Sequence, residues 1–186
     1  ADGRVLAQDV VSALQVPPQD NSSMDGYALA CASVSAPGKV LAVTQRIAAG
    51  ASGRPVGAGE AARIFTGAPI PEGADAVVMQ EDCDVVTEAT DDTPAQVRVQ
   101  VRPDPGQWIR RAGEDVTLGA VVLAHGMRLS PAGLGMAAAV GLRELHVAPR
   151  PRVALFSTGD ELVMPGDVAP ADMRPGAIYN SNRFFL

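Results

Sequence analysis

Residues 96–102 alternate valine with polar or charged residues, which is the period of a half-buried β-strand. Segments 39–47 and 74–80 are also short and apolar, and they predict two further strands. The intervening stretch 86–95 is polar, acidic and proline-containing, so we expect a surface hairpin loop there without catalytic residues. These patterns predict a protein that is rich in β-structure.

One segment has the pattern of a helix. Ser130 is a typical N-cap residue, Pro131 suits the first helical position, and the apolar run that follows ends at Gly141, a typical residue just after a helix. Residues 3–14 fit either a helix or a strand, because their periodicity does not separate the two. Residues 142–149 predict a return to strand after the helix.

A domain boundary is predicted at 149–151, where Pro-Arg-Pro interrupts the chain. The apolar run VALFS at 153–157 follows it and is typical of a buried parallel strand. That run leads into STGDEL at 157–162, and ligands of α/β folds bind at the carboxyl ends of parallel strands. We therefore expect the first strand of a doubly wound α/β domain here, with a ligand site at its end.

Composition and charge exclude several classes of function. Hydrophobic residues make up 47% of the chain, which is enough for a packed core, and the net charge of −6 without a lysine cluster argues against nucleic-acid and anionic-membrane surfaces. The sequence has no apolar run of membrane-spanning length and no N-terminal signal pattern, so we expect a cytoplasmic protein. Cys31 and Cys83 lack metal-site spacing, and with the lone His125 and His146 they predict free thiols and no zinc site.

The run PPQDNSSMDGYAL at 17–29 predicts a polar loop around a carboxylate. Its two prolines fix the backbone, and Gly26 would allow a positive φ directly beside Asp25. Asp25 could hold a charged ligand in a cleft or could only bond to backbone amides of its own turn. The segment alone does not separate these alternatives.

Three further segments carry candidate functional residues. Thr66 follows a predicted strand, where its hydroxyl could face outward or satisfy its own turn. Arg110 and Arg111 lie next to Glu114 and Asp115, so this corner could be a structural ion pair or an anion contact. The acidic pair Glu81 and Asp82 is interpreted as a solvated turn.

Asp160 and Glu161 are the best candidates for binding a metal ion. Magnesium takes one or two protein carboxylates together with water and phosphate oxygens. Thr158 and Gly159 could present backbone amides to a phosphate or a molybdate oxyanion. Alternatively, Asp160 could cap the element that follows the motif.

Four segments in order give this chain its strongest signal: PPQDNSSMDGYAL, RIFTGAPIPEGADAVVMQED, WIRRAGEDVTLG and PRVALFSTGDELVMPG. Together they resemble the MoeA-type molybdopterin molybdenumtransferases, whose relatives include the E domains of a plant homologue and of gephyrin. The similarity covers that family's N-terminal region and the start of its central region. Because the chain starts without methionine and stops at FFL, we expect an incomplete portion of the enzyme that cannot complete the reaction alone.

The resemblance implies the fold as well as the activity. It implies a mixed α and β, multidomain protein with a mainly β domain (29–116) inserted into an elongated α/β linker domain (1–28 and 117–149). Residues 150–186 would begin a MogA-like, doubly wound α/β domain that binds molybdopterin. It also implies a homodimer with the active cleft between subunits, in which Asp25 and Thr66 of one subunit face Asp160 and Glu161 of the other.

The implied reaction inserts molybdate into adenylylated molybdopterin and releases AMP, with Mg²⁺ as the cofactor. On this resemblance the expected catalytic residues are Asp25, Thr66, Asp115 and Glu161. The expected substrate contacts are Ser22, Gly67, Arg110, Thr158 and Gly159, with Arg111 as an alternative to Arg110, and the expected metal ligands are Asp160 and Glu161. Molybdenum and tungsten are not distinguished, because their oxyanions have nearly the same size and charge.

Partner molecules are implied in the same way. A MogA-type adenylyltransferase and molybdoenzyme targets are candidate partners. Gephyrin shows that the same fold can serve as a dimeric scaffold, so a non-catalytic binding module is the alternative function. The presence of Asp25, Thr66, Asp160 and Glu161 favours the enzyme. A free-standing nucleotide-binding domain is less favoured, because no P-loop or GxGxxG pattern occurs.

Overall fold

The computed structural model describes residues 1–91 and 93–184, and the chain divides between Ala148 and Pro149 into two compact units. The described residues contain twelve strands and one α-helix. The strands of the first unit are β1 Val10–Val11, β2 Asn21–Ser22, β3 Gly26–Leu29, β4 Lys39–Ile47, β5 Glu60–Ile64, β6 Ala76–Met79, β7 Cys83–Thr87, β8 Ala95–Val99, β9 Ile109–Arg110 and β10 Val121–Leu123. The helix α1 spans Pro131–Ala139, and β11 Leu162–Val163 and β12 Ile178–Tyr179 belong to the second unit.

A six-stranded sheet with the order β6-β3-β5-β4-β8-β7 dominates the first unit. All neighbouring pairs are antiparallel except β4 and β5, which are parallel. Strand β3 is buried on both faces, since Tyr27 and Leu29 pack in one apolar cluster while Ala28 packs in another. The β-rich fold predicted from the sequence is therefore confirmed for this unit.

Three strand predictions can be compared with this sheet. Segment 39–47 coincides with β4, and the prediction at 74–80 contains β6, which begins two residues later. In β8, Val97 and Val99 are fully buried as the alternation predicted, although the strand ends before Val101. The predicted loop is also present, because β7 and β8 are antiparallel neighbours joined at 88–94, of which Asp92 lies outside the described residues.

A second apolar core in this unit packs helix α1 against the chain's extended N-terminal segment. It contains Leu6, Val10, Val116, Leu123, Leu129, Ala137 and Val140. The helix begins as predicted, because the Ser130 Oγ accepts a hydrogen bond from the Gly133 N–H at 3.2 Å. Gly141 follows it with φ +84°, so the predicted helix is confirmed at both ends.

Two regions around this core are less regular than the sequence predicted. The ambiguous segment 3–14 is extended, with β1 pairing to β10. The strand predicted at 142–149 is wrong, since only Val147 forms a bridge there, to Leu6. The apolar run at 142–149 pairs with a neighbouring segment at one residue only, and a single bridge does not make a strand.

The strand predicted at 153–157 is also wrong, because residues 151–159 have no regular secondary structure. Val153 and Phe156 are 82% and 83% exposed. A parallel strand of this type is stabilised by hydrogen-bonded neighbours and by burial on both faces, and the described residues provide neither for this segment. The second unit instead contains the parallel pair β11 and β12, so the STGDEL motif leads into a strand.

The three-part division into 1–28 with 117–149, 29–116 and 150–186 remains a prediction. A turn of 3₁₀-helix covers Asn182–Phe184. None of the helices in the part of the chain that the structure describes has the length and hydropathy needed to cross a bilayer.

Candidate functional site

Asp25 and Thr66 are brought together by the pairing of β3 with β5. The strands are antiparallel and Gly26 lies opposite Ile64, so the residues just before β3 and just after β5 meet at one end of the sheet. Both side chains are exposed there. Forty-one positions separate them in the sequence, and the sheet register alone makes them neighbours.

Two hydrogen bonds join this pair. The Thr66 N–H and the Thr66 hydroxyl both donate to Oδ1 of Asp25, at 2.8 and 2.9 Å. These bonds, and to a smaller extent the positive charge of Arg63, hold the pKa of Asp25 below its ordinary value. Within residues 1–91 and 93–184, Oδ2 of Asp25 has no hydrogen-bond donor, so the ionised carboxylate has one oxygen directed to a ligand or to solvent.

Ser22, at the end of β2, and Gly67, in the turn after β5, are joined by a hydrogen bond beside this pair. The Ser22 hydroxyl is buried, donates to the Met24 carbonyl at 2.6 Å and accepts from the Met24 N–H at 3.3 Å. The Gly67 N–H donates to the Ser22 carbonyl at 2.8 Å, and Gly67 has φ +79°. Their backbone contacts connect the segment before Asp25 with the segment after Thr66. Substrate binding by either residue remains a prediction.

The prediction that Gly26 would adopt a positive φ is wrong. Gly26 is not among the residues with positive φ. A Cβ placed there would lie 1.9 Å from the Val78 carbonyl oxygen and 2.8 Å from its carbon. Glycine is required because β6 approaches β3 closely at this position.

Arg110 and Arg111 have different partners. Arg110 donates to Asp115 at 2.7 Å and to Glu114 at 3.4 Å, and the bond to Asp115 is the main reason that the pKa of Arg110 is raised. Arg111 pairs instead with Asp20 at 2.5 Å. The structure therefore distinguishes the two arginines that the sequence left as alternatives.

Strand β9 places Arg110 beside the segment that leads to Asp25. It pairs antiparallel with β2, so that Asn21 lies opposite Arg110 and Ser22 opposite Ile109. Asp20 strengthens this junction by also accepting from the Ala112 N–H at 2.8 Å, which is the main cause of its lowered pKa. Sequence analysis missed Asp20, because the bonds that give it a role come from residues more than ninety positions away.

Thr158, Gly159, Asp160 and Glu161 belong to the second unit. Thr158 and Glu161 line a cavity of about 440 Å³ together with Asn180, Ser181 and other residues of the unit, whereas exposed Asp160 is not among its lining residues. The Glu161 carboxylate lies over Gly159, since a Cβ there would be 2.6 Å from both of its oxygens. The Glu161 side chain could move away from such a Cβ, and the reason for glycine is the backbone, which has φ +148° at this position.

The capping alternative for this motif is not what the structure shows. The element after Glu161 is strand β11, and among the described residues neither the Asp160 carboxylate nor the Glu161 carboxylate accepts a hydrogen bond from a backbone amide. The described part of the chain also lacks a group of three His, Cys, Asp or Glu side chains arranged for a metal ion. A single carboxylate with hydroxyl and amide oxygens from Thr158, Ser181 and Asn180 nevertheless suits Mg²⁺, which needs few protein ligands.

Comparison with known proteins gives consistent matches. The family model described as "MoeA N-terminal region (domain I and II)" matches residues 1–141. "Molybdopterin molybdenumtransferase 2" of Mycobacterium tuberculosis is 44% identical over 194 residues, covering 100% of this chain and 44% of that protein. "Molybdopterin molybdenumtransferase" of Haemophilus influenzae is 39% identical over 99% of this chain and 43% of its own length. The chain thus spans less than half the length of these relatives.

Solved structures show the same relationship. A crystal structure of the "molybdopterin biosynthesis moeA protein" from Pyrococcus horikoshii superposes with a TM-score of 0.82 at 34% identity, covering 98% of this chain and 47% of that one. Another crystal structure, also of a "molybdopterin biosynthesis moea protein" from that species, gives a TM-score of 0.83 at 33% identity, over 97% of this chain and 45% of the other.

Proposed function

This chain belongs to the MoeA family and carries its N-terminal region, and we propose that it contributes to molybdenum cofactor biosynthesis as part of a molybdopterin molybdenumtransferase. Its relatives in M. tuberculosis and H. influenzae have that name. The observation in this chain that carries the proposal is the Asp25–Thr66 pair, in which two hydrogen bonds hold an exposed, ionised carboxylate at the end of the six-stranded sheet.

The proposed reaction takes molybdate and adenylylated molybdopterin as substrates. Two sulfur–molybdenum bonds form at the dithiolene, and one molybdate oxygen leaves as water with the two thiol protons. Water cleaves the phosphoanhydride bond, and AMP is the leaving group. Bound Mg²⁺ would neutralise charge on that phosphoanhydride.

Asp25 contributes charge and position. Because its pKa is lowered, it is a weak proton acceptor at neutral pH and remains an anion. Thr66 fixes Oδ1 and leaves Oδ2 for a substrate group. The pair thereby orients one reactant relative to the other, which accelerates a reaction without a covalent intermediate on the enzyme.

The remaining candidates have supporting roles in this proposal. Glu161 would hold the divalent cation with the hydroxyl and amide oxygens that share its cavity. Arg110 is oriented by Asp115 and Glu114, and its third guanidinium nitrogen, Nη1, makes no hydrogen bond to the described residues, so it would pair with a phosphate oxygen. Homodimer formation, a cytoplasmic location and delivery of substrate by a MogA-type adenylyltransferase are further parts of the proposal.

Substitution of Asp25 tests the proposed function. In the intact protein, Asp25→Asn preserves size and the ability to accept from Thr66 but removes the charge, so molybdate insertion and AMP release should fall strongly while the thermal midpoint stays near wild type. The matched control is Asp91→Asn, which removes the same charge from an exposed loop. Wild-type insertion by Asp25→Asn would overturn the role assigned to Asp25, and absence of insertion by the unaltered intact protein would favour the scaffold alternative.

A further inference from the structure

Arg63 connects three segments of the sheet around the Asp25–Thr66 pair. It lies in β5 directly opposite Tyr27 of β3. Its Nη1 donates to the Gly26 carbonyl at 2.7 Å and to the Ile64 carbonyl at 3.1 Å, and its Nη2 donates to the Gln80 side-chain oxygen at 2.5 Å. One guanidinium group therefore bonds to the start of β3, the end of β5 and the turn after β6.

The same guanidinium contacts two aromatic rings. Its central carbon lies 4.6 Å from the centre of the Phe65 ring and 5.3 Å from that of Tyr27. Phe65 directly precedes Thr66, and Tyr27 is two residues after Asp25. Arg46 contacts the Phe65 ring at 4.7 Å, but among the described residues it makes no hydrogen bond to this region.

Gln80, the third hydrogen-bond partner of Arg63, is also bonded to Asp25. The Gln80 backbone N–H donates to the Asp25 carbonyl at 3.1 Å, so the residue that Arg63 holds in turn holds the Asp25 main chain. Asp25 and Thr66 themselves are exposed and lie beyond the strand ends, where packing provides little restraint. Restraint at this position has to come from hydrogen bonds to neighbouring groups.

We propose that Arg63 is a positioning residue that fixes the Asp25 carboxylate against Thr66 by clamping Gly26, Ile64 and Gln80 together. Its consequence for catalysis rests on the proposed function. Lysine cannot replace it, because an ammonium group lacks the planar fork that serves three acceptors while lying against aromatic rings. The role thus depends on the shape of the guanidinium group in addition to its charge.

Three variants of the chain separate shape from charge. Arg63→Lys keeps the charge and loses the fork, Arg63→Gln loses both, and Arg46→Gln removes a charge from the same Phe65 ring without removing a hydrogen bond. NMR would follow the Asp25 carboxyl and the Thr66 amide proton as the pH is lowered. In the wild type, both resonances should titrate together at a pH below the ordinary aspartate pKa.

In Arg63→Lys and Arg63→Gln, we expect the Asp25 pKa to rise and the Thr66 amide resonance no longer to follow the ionisation of Asp25. In Arg46→Gln, both the Asp25 pKa and the response of the Thr66 amide should equal those of the wild type. The proposal would be overturned if Arg63→Lys kept the wild-type Asp25 pKa and the wild-type titration of the Thr66 amide. It would also be overturned if Arg46→Gln changed them as much as the Arg63 variants do. If Arg63→Gln does not fold, Arg63→Lys decides the question alone. In the intact protein, Arg63→Lys should lower kcat by roughly tenfold to a hundredfold with little change in KM.

This design also separates the two proposals. If the intact protein inserts no molybdate while Arg63→Lys still raises the Asp25 pKa and uncouples the Thr66 amide from it, the proposed function fails and the positioning role stands. If Asp25→Asn is inactive while Arg63→Lys keeps both the hydrogen bonds and the activity, the positioning role fails alone.

Discussion

The Thr66 N–H and hydroxyl converge on the same carboxylate oxygen of Asp25, at 2.8 and 2.9 Å. Both bonds favour the ionised carboxylate, and the bond from the backbone has the larger effect on the Asp25 pKa. A side chain that stabilises charge on one oxygen and leaves the other open is suited to orienting a substrate. The strength of each bond can be measured separately, because a substitution at Thr66 removes the hydroxyl and retains the amide.

Replacing Thr66 by Val should therefore raise the pKa of Asp25 only partly, leaving it below the ordinary aspartate value. The folded-state pKa of Asp25 is depressed, so its contribution to stability is present above the unfolded-state pKa and is lost as the pH falls through the folded-state pKa. Thr66→Val brings the folded-state pKa of Asp25 closer to its unfolded-state pKa, so the acidic pH range over which this contribution to stability is lost becomes narrower. NMR titration of the Asp25 carboxyl and unfolding curves at several acidic pH values measure both effects.

Thr66→Ser is the matched control, because it keeps a hydroxyl at the same position. It should leave the Asp25 pKa close to wild type. A Thr66→Val variant with an unaltered Asp25 pKa would show that the hydroxyl bond contributes nothing to the ionisation of this site.

Gly26 and Gly135 should respond to alanine in opposite directions. At Gly26 the new methyl group would collide with the Val78 carbonyl, so Gly26→Ala should destabilise the fold by about 1–3 kcal/mol or more. At Gly135 in α1 an added Cβ would have no atom within 4 Å apart from its chain neighbours and the helix's own backbone, and alanine should stabilise the helix by about 0.5–1 kcal/mol. Chemical denaturation measures both changes, and equal stability of Gly26→Ala and wild type would contradict the close approach of β6.

Sequence reasoning succeeded where local signals decide the structure. Ser130 and Pro131 predicted the start of α1, because a helix cap depends on residues within one turn. The valine alternation predicted the buried face of β8. The run at 153–157 has an equally apolar composition, but a strand forms only where partner strands are present, and composition does not encode that.

The candidate site shows the same distinction. Asp25 and Thr66 were selected through a family resemblance, and their contact follows from a pairing between strands that are distant in the sequence. Arg63 was missed, although it lies within one of the matching segments. Its importance depends on Gly26 and Gln80, which are 37 and 17 positions away and which only the folded sheet brings within reach.

Cys31 and Cys83 should be unreactive in the folded chain. Both are free thiols, and burial is the first cause that raises the pKa of each to about 12. At pH 8 roughly one thiol in ten thousand would then be ionised. Iodoacetamide should modify neither residue appreciably under native conditions and both in denaturant, as mass spectrometry would show. Rapid native labelling that disappears in Cys31→Ser or Cys83→Ser would identify a thiol that contradicts this prediction.

The Glu161 carboxylate should act on the divalent cation and contribute little to stability. It lies over Gly159 and lines the cavity of the second unit, and it accepts no hydrogen bond from the described residues. Glu161→Gln keeps its shape and removes the charge that would attract Mg²⁺. In the intact protein, we expect a higher Mg²⁺ requirement and slower AMP release, with an unchanged thermal midpoint.

Two further substitutions complete this test. Asp160→Asn should shift the Mg²⁺ titration less than Glu161→Gln, because Asp160 is not among the residues that line the cavity. Glu88→Gln makes the same chemical change in an exposed loop of the first unit and should leave the titration at its wild-type position. A Glu161→Gln protein with a lower thermal midpoint and an unaltered Mg²⁺ titration would assign Glu161 a structural role. In that case the proposed site would rest on Asp25 and Thr66.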